Sequence, residues 1–143
     1  MCGILGYYNI DHEPVPRSRG EIEALRDMMR NRGPDASGYL ESARKDWVLA
    51  HRRLSILDLS ERGHQPMSIP DGTLHISYNG EIYNYRELRD ALEKRGAVFT
   101  STSDTEVILH LYREYGTGCF RMLEGMFAII IIDEAGRRAV MAR

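Results

Sequence analysis

The sequence predicts a fold of mixed α and β elements, and three observations carry that expectation. Apolar runs of strand length stand near both ends, at Ile4 to Asn9 and Met126 to Ile132. Three segments between them show helical apolar spacing behind a polar start signal, at Ser18, Asn84 and Asp104. The resulting order is strand, helix, strands, helix, strand, helix, strands, which is mixed α and β but does not choose a topology.

Each element has a local reason. A loop over 11–17, with Pro14 and Pro16, follows the first strand. Ser18 and Glu21 form a Ser-x-x-Glu capping box, and Ile22, Leu25 and Met28/Met29 supply the stripe of the first helix. Gly33-Pro34 ends it. Trp47 to His51 and Leu74 to Tyr78 are strand-like. Asn84 opens a second helix, with Glu87 three residues on, Leu88 and Leu92 on one face and Gly96 as its stop. Val98 and Phe99 fit a short strand. A third helix starts at Asp104, turns Val107, Ile108, Leu111, Tyr112 and Tyr115 inward, and closes at Gly116. Ile129 to Ile132, a turn at Asp133-Glu134-Ala135-Gly136, and Arg138 to Ala142 then read as strand, turn, strand. The chain stops while that last strand is still running, so the sequence reads as an incomplete domain over 1–143.

Composition narrows the function classes. With 143 residues, 43% hydrophobic and 28% charged, the chain suits one soluble domain. A net charge of −2 gives no electrostatic case for nucleic acid or for an anionic membrane. No apolar run approaches the ~20 residues of a membrane span. The five histidines show no metal-ligand spacing, and no phosphate-binding glycine loop occurs, so no metal or cofactor is expected in this chain. Cys2 and Cys119 make no disulfide framework, and a working thiol favours a reducing cytoplasm.

The chemistry starts at Cys2. An initiator Met is expected to be removed before so small a residue, which would give Cys2 both a thiol and a free α-amine. The amine has a reference pKa of roughly 7.7–8.0 and can act as base for the thiol. Downstream stand Arg53-Leu54-Ser55-Ile56, Asn79-Gly80-Glu81-Ile82-Tyr83-Asn84 and Ser103-Asp104-Thr105-Glu106, with Arg32-Gly33-Pro34-Asp35 and Gly63-His64-Gln65-Pro66 between them. With Cys2-Gly3-Ile4, these motifs resemble the glutaminase domain of class II glutamine amidotransferases, an N-terminal-nucleophile family. The wording is most similar to the amino-terminal half of glutamine-hydrolysing asparagine synthetases.

The resemblance implies an α+β four-layer αββα sandwich of two antiparallel sheets, incomplete at its C-terminal end. It implies Cys2 as nucleophile, with the Asn79 side chain and the Gly80 amide as oxyanion donors. On the residues alone, Asn79-Gly80 also reads as a hairpin turn after Tyr78. Arg53 would hold the α-carboxylate of glutamine, Asp104 and Glu81 its α-ammonium group, and Leu54, Ser55, Ile56 and Leu57 the wall. Arg52 should point the other way from Arg53 by strand alternation. Asp104 would otherwise be an N-cap.

The implied reaction is hydrolysis of L-glutamine to glutamate and ammonia through a Cys2 thioester. A synthetase domain absent from this chain would use ATP and Mg to amidate aspartate to asparagine. Another acceptor, such as a sugar or cell-envelope precursor, and a catalytically silent glutamine pocket stay open, as does a homodimer.

Overall fold

Gly3–Tyr8 forms β1, the first strand of a computed structural model that describes residues 2–143. The expected removal of Met1 thus lies outside the described residues. After β1 come α1 (Arg19–Asp27), β2 (Ala36–Glu41), β3 (Trp47–Arg53), β4 (Met67–Ser68) and β5 (Leu74–Ile82). The chain continues through α2 (Tyr85–Lys94), α3 (Asp104–Tyr115), β6 (Gly125–Asp133) and β7 (Arg138–Ala142).

The strands make two antiparallel sheets, ordered β1-β3-β2 and β4-β5-β6-β7. Three apolar layers stack them. Ile22 of α1 packs on Val48 and Ala50 outside the first sheet. Trp47, Leu49 and Ile132 meet between the sheets. Outside the second sheet, Ile76, Tyr78, Ile129 and Ile131 pack against Leu92 of α2 and Val107, Ile108 and Leu111 of α3. The result is the expected αββα sandwich.

Register carries the N-terminus to the site. Gly3 lies opposite Arg52 in the β1–β3 ladder, so the preceding residue, Cys2, arrives where β3 ends at Arg53. A chain end held in a ladder does not fray as a free terminus does.

Several local expectations are corrected. Strands β2 and β4 were not foreseen: β2 holds Gly38 and lacks an apolar run, and β4 is only two residues long. Val98-Phe99 forms no strand, because Ala97 and Phe99 pack on the helices instead of entering a ladder. Leu25 and Met28 are exposed, and α1 buries Ile22 and the stem of Arg26. Long Arg stems cover apolar surface readily, which a stripe of apolar letters does not reveal. Tyr115 is exposed rather than inward, because it sits on the last turn of α3. Ser103, not Asp104, caps α3: its side chain accepts from the Thr105 amide.

Gly38 has a packing reason. A Cβ there would overlap the Gln65 carbonyl, which is backbone and cannot swing away. Gly38→Ala should lower unfolding stability by ~1–3 kcal/mol or more, as overpacking does. Chemical denaturation measures it, and an unchanged midpoint would mean that the 64–66 loop is free to move.

Candidate active site

Both halves of Cys2 are held. Its backbone nitrogen donates to Asn79 Oδ1 at 2.7 Å, across 77 residues of sequence. Its sulfur receives the Leu54 amide N–H at 3.3 Å and faces the Leu54 carbonyl at 3.7 Å. Arg32 Nε donates to the Cys2 carbonyl at 3.2 Å. Since the Cys2 nitrogen can only donate here, Oδ1 must face it, and the Asn79 Nδ2 donors point elsewhere.

Strand alternation explains β5. Ser77 bonds His51 across the gap between the sheets, and Asn79 bonds Cys2 on the same side. Tyr78 and Ile82 face α3, where both touch Asp104. The backbone alternates as well. The Tyr78 and Ile82 N–H groups both leave the β6 side, toward Gln65 Oε1 and Asp104 Oδ2. Gly80 lies between them at the same phase, so its N–H points to that open edge. Asn79-Gly80 therefore lies inside a paired strand, opposite Ala128 and Phe127, and is no hairpin turn.

Arg53 and Arg52 diverge as alternation requires. Arg52 turns outward to the Gly33 and Pro34 carbonyls and to Asp27. Arg53 turns inward and is only 7% exposed. Its guanidinium donates to the carbonyls of Leu57, Asp58 and Ser60, and among the described residues it makes no ion pair. A buried cation with only neutral acceptors around it favours an incoming anion.

Asp104 is the complementary case. It is 4% exposed, and Oδ2 accepts from the Tyr78 hydroxyl at 2.7 Å and from the Ile82 amide at 3.1 Å. Burial pushes its carboxyl above the ordinary range, against the pull of those hydrogen bonds. A cation brought against it would relieve that cost. Tyr78→Phe removes one of the two partners named and should lower stability by ~1–3 kcal/mol, the range for a buried polar group left short. No loss on chemical denaturation would mean that water already serves Asp104.

Cys2, Arg53, Leu54, Ile56, Leu57, Asn79, Gly80, Glu81 and Asp104 line one cavity of about 340 Å³. That is within the roughly 300–1,000 Å³ of small-molecule sites. Glu81 and Ile56 sit at its exposed rim. Ser55 does not line it, and its amide donates to Asp35 Oδ2 at 2.7 Å. Gln65, Tyr78 and Thr105 also line the cavity and were assigned no role from sequence. Gln65 ties the Tyr78 amide to the Thr105 hydroxyl. Its place in Gly63-His64-Gln65-Pro66 was the available signal. Among the described residues no group of three or more His, Cys, Asp or Glu could hold a metal ion, and no helix is long and apolar enough to cross a membrane.

The chain matches the glutamine amidotransferase domain over residues 1–143. A probable glutamine-hydrolysing asparagine synthetase of Schizosaccharomyces pombe is 41% identical over 143 residues, covering 100% of this chain and 25% of that protein. Glutamine-hydrolysing asparagine synthetase 1 of Bacillus subtilis is 42% identical over 134 residues, covering 92% and 20%. Asparagine synthetase 2 of Arabidopsis thaliana is 42% identical over 144 residues, covering 100% and 24%. The chain thus spans a quarter or less of these relatives. Among solved structures, a B. subtilis glutamine phosphoribosylpyrophosphate amidotransferase superposes with a TM-score of 0.65 at 22% identity, covering 93% of this chain and 35% of that one. At that identity the likeness concerns the fold alone. With the match running through every residue, the chain belongs to the glutamine amidotransferase domain family.

Proposed function

We propose that this chain hydrolyses L-glutamine to glutamate and ammonia through a thioester on Cys2. The observation that carries the reading is the seating of Cys2 in one cavity with a buried cation, Arg53, and a buried anion, Asp104. A free α-amino acid presents one carboxylate and one ammonium group, so it needs one fixed partner of each sign. Arg53 offers a planar donor fork to the carboxylate. Asp104 offers the ammonium its second oxygen, with Glu81 at the rim.

Once Met1 is removed, the nitrogen bonded to Asn79 is the α-amine. As free base it takes the thiol proton, and the thiolate attacks the δ-carboxamide carbon. A C–S bond forms and charge moves to the oxygen, within reach of Asn79 Nδ2 and the Gly80 N–H. The ammonium group returns its proton to the amide nitrogen, the C–N bond breaks, and ammonia leaves. Water then adds to the thioester, the C–S bond breaks, and glutamate and the free thiol are restored. These residues need no metal or cofactor for that sequence.

In the full-length protein the ammonia would amidate aspartate to asparagine with ATP and Mg bound outside this chain, as the names of the relatives suggest. That setting is the cytoplasm, where the thiol stays reduced. The test is intact mass after exposure to 6-diazo-5-oxo-L-norleucine, with and without L-glutamine. A single adduct on a Met-free Cys2, suppressed by L-glutamine, is expected. Labelling that L-glutamine does not suppress would defeat the reading. Asparagine formed from aspartate, ATP and glutamine then checks the acceptor.

A further inference from the structure

The two grips of the cavity, Arg53 at the end of β3 and Asp104 at the start of α3, are 51 positions apart in the chain, yet side chains outside the cavity lining fix one relative to the other. The segment after β3 wraps Arg53 in its carbonyls, and Asp58 sits at the turn of that wrap with φ 49°, in the left-handed region. Asp tolerates this conformation better than most residues but still at some cost. What holds it is its own carboxylate. Oδ1 accepts from the Ser60 amide at 3.1 Å and from the Ser60 hydroxyl, which fixes the turn. Oδ2 accepts from the Thr102 amide at 2.8 Å, across 44 residues.

Thr102 belongs to the loop that delivers Asp104. That loop is pinned from its other side by Glu106, which accepts from the Thr100 and Ser101 amides and from both hydroxyls. Ser103 then caps α3, and Asp104 is its first residue. Asp58 thus touches both supports: its carbonyl oxygen accepts from Arg53, and its carboxylate holds the loop that leads to Asp104. Arg62, donating to the Thr100 carbonyl at 3.3 Å, is an exposed and longer link between the same loops. Burial pushes the Asp58 carboxyl up, but the hydrogen bonds from Ser60 and Thr102 outweigh it and hold it at about 2. It is therefore ionised, and a charged acceptor makes the stronger bond.

We infer that Asp58 is a positioning residue that sets the span between the carboxylate grip at Arg53 and the ammonium grip at Asp104, and so selects the α-amino acid end of the substrate. The inference rests on the glutaminase reading above. Asp58 does not line the cavity and needs no contact with the substrate. Its effect falls on binding: a misplaced pair of grips weakens the hold on the substrate, while Cys2, held by Asn79 and Leu54, keeps its own supports.

The experiment is steady-state glutaminase kinetics of the full-length protein with Asp58→Ala and Asp58→Asn. Asp58→Ala should raise KM for L-glutamine by ~10–100-fold with kcat within about threefold. Asp58→Asn keeps one oxygen and tolerates the left-handed turn, so its KM should fall between Asp58→Ala and the unaltered protein. A variant that is merely less folded would lose kcat at unchanged KM, and that pattern would overturn the inference. If Asp58→Ala does not fold, Asp58→Asn decides: a raised KM supports the role of the charge, and an unaltered KM defeats it. Absence of glutaminase activity in the unaltered protein is a separate failure, and it would strike the glutaminase reading itself.

Discussion

Cys2→Ala is expected to abolish glutamine hydrolysis while leaving glutamine binding in place. The reason is a division of labour in the cavity. Among the described residues the hydrogen-bond partner of the sulfur is the Leu54 peptide, whereas the charged partners offered to an amino acid are Arg53 and Asp104. On the thioester reading, removing the sulfur takes away the attacking atom and neither charge. Loss of a nucleophile that acts as a unit with its base should lower kcat by at least about four orders of magnitude. Binding, followed by calorimetry, should change by no more than a few-fold. Cys2→Ser should leave weak turnover, because a hydroxyl is far harder to ionise than a thiol at neutral pH. Native turnover in Cys2→Ala would remove the thioester mechanism. A loss of binding alone would mean that the thiol shapes the cavity rather than reacting in it.

Asn79→Ala should have the next largest effect, and it tests two roles of one side chain. Oδ1 holds the nitrogen of Cys2, and on the oxyanion reading Nδ2 donates to the reacting oxygen. Loss of one oxyanion donor costs about 10²–10³ in kcat, or ~3–4 kcal/mol. Asn79→Asp separates the roles: it keeps an acceptor for the Cys2 nitrogen but replaces the donor with negative charge. Both variants should lose kcat heavily and keep KM within a few-fold, since neither grip on the amino acid end is altered. If Asn79→Asp turned over normally, the side chain would serve only to hold the terminus. If only KM rose, Asn79 would be a binding residue and the oxyanion assignment would be wrong.

Much of this was legible in the sequence, and the reasons differ by element. Helices α1 and α3 opened at Ser18 and at the Ser103-Asp104 pair because capping chemistry is local. Asn84, in contrast, precedes α2 without capping it and bonds its side chain to Met122 and Glu124. Arg53 and Arg52 separated by simple alternation, which needs only a strand. What stayed hidden depends on partners far away in the chain. Strand β2 has a weak pattern of its own and exists because β3 supplies its ladder. Asn79-Gly80 has a strong local preference for a turn, and pairing with β6 overrides it. Ser55 sits inside a motif whose neighbours line the cavity, yet it does not line it and its amide bonds Asp35. Tyr78 could have been placed by extending the alternation of β5, but Gln65 lies in the loop before β4, and their bonds to Asp104 and Thr105 are contacts between elements that no spacing rule connects.

The placement of Asn79-Gly80 inside a paired strand also bears on how the protein ages. Asn followed by Gly is chemically fragile, because the Gly nitrogen can attack the Asn side-chain carbonyl and close a succinimide ring that opens to aspartate or isoaspartate. In β5 that closure is blocked twice. The bond from the Cys2 nitrogen to Asn79 Oδ1 restrains the side chain, and pairing with β6 holds the Asn79-Gly80 backbone extended, away from the turn that ring closure needs. Folding thus protects an amide whose loss would put a negative charge beside Cys2. Unfolded chains lose that protection and gain a mass unit at residue 79, so the damage would persist after refolding and silence the site.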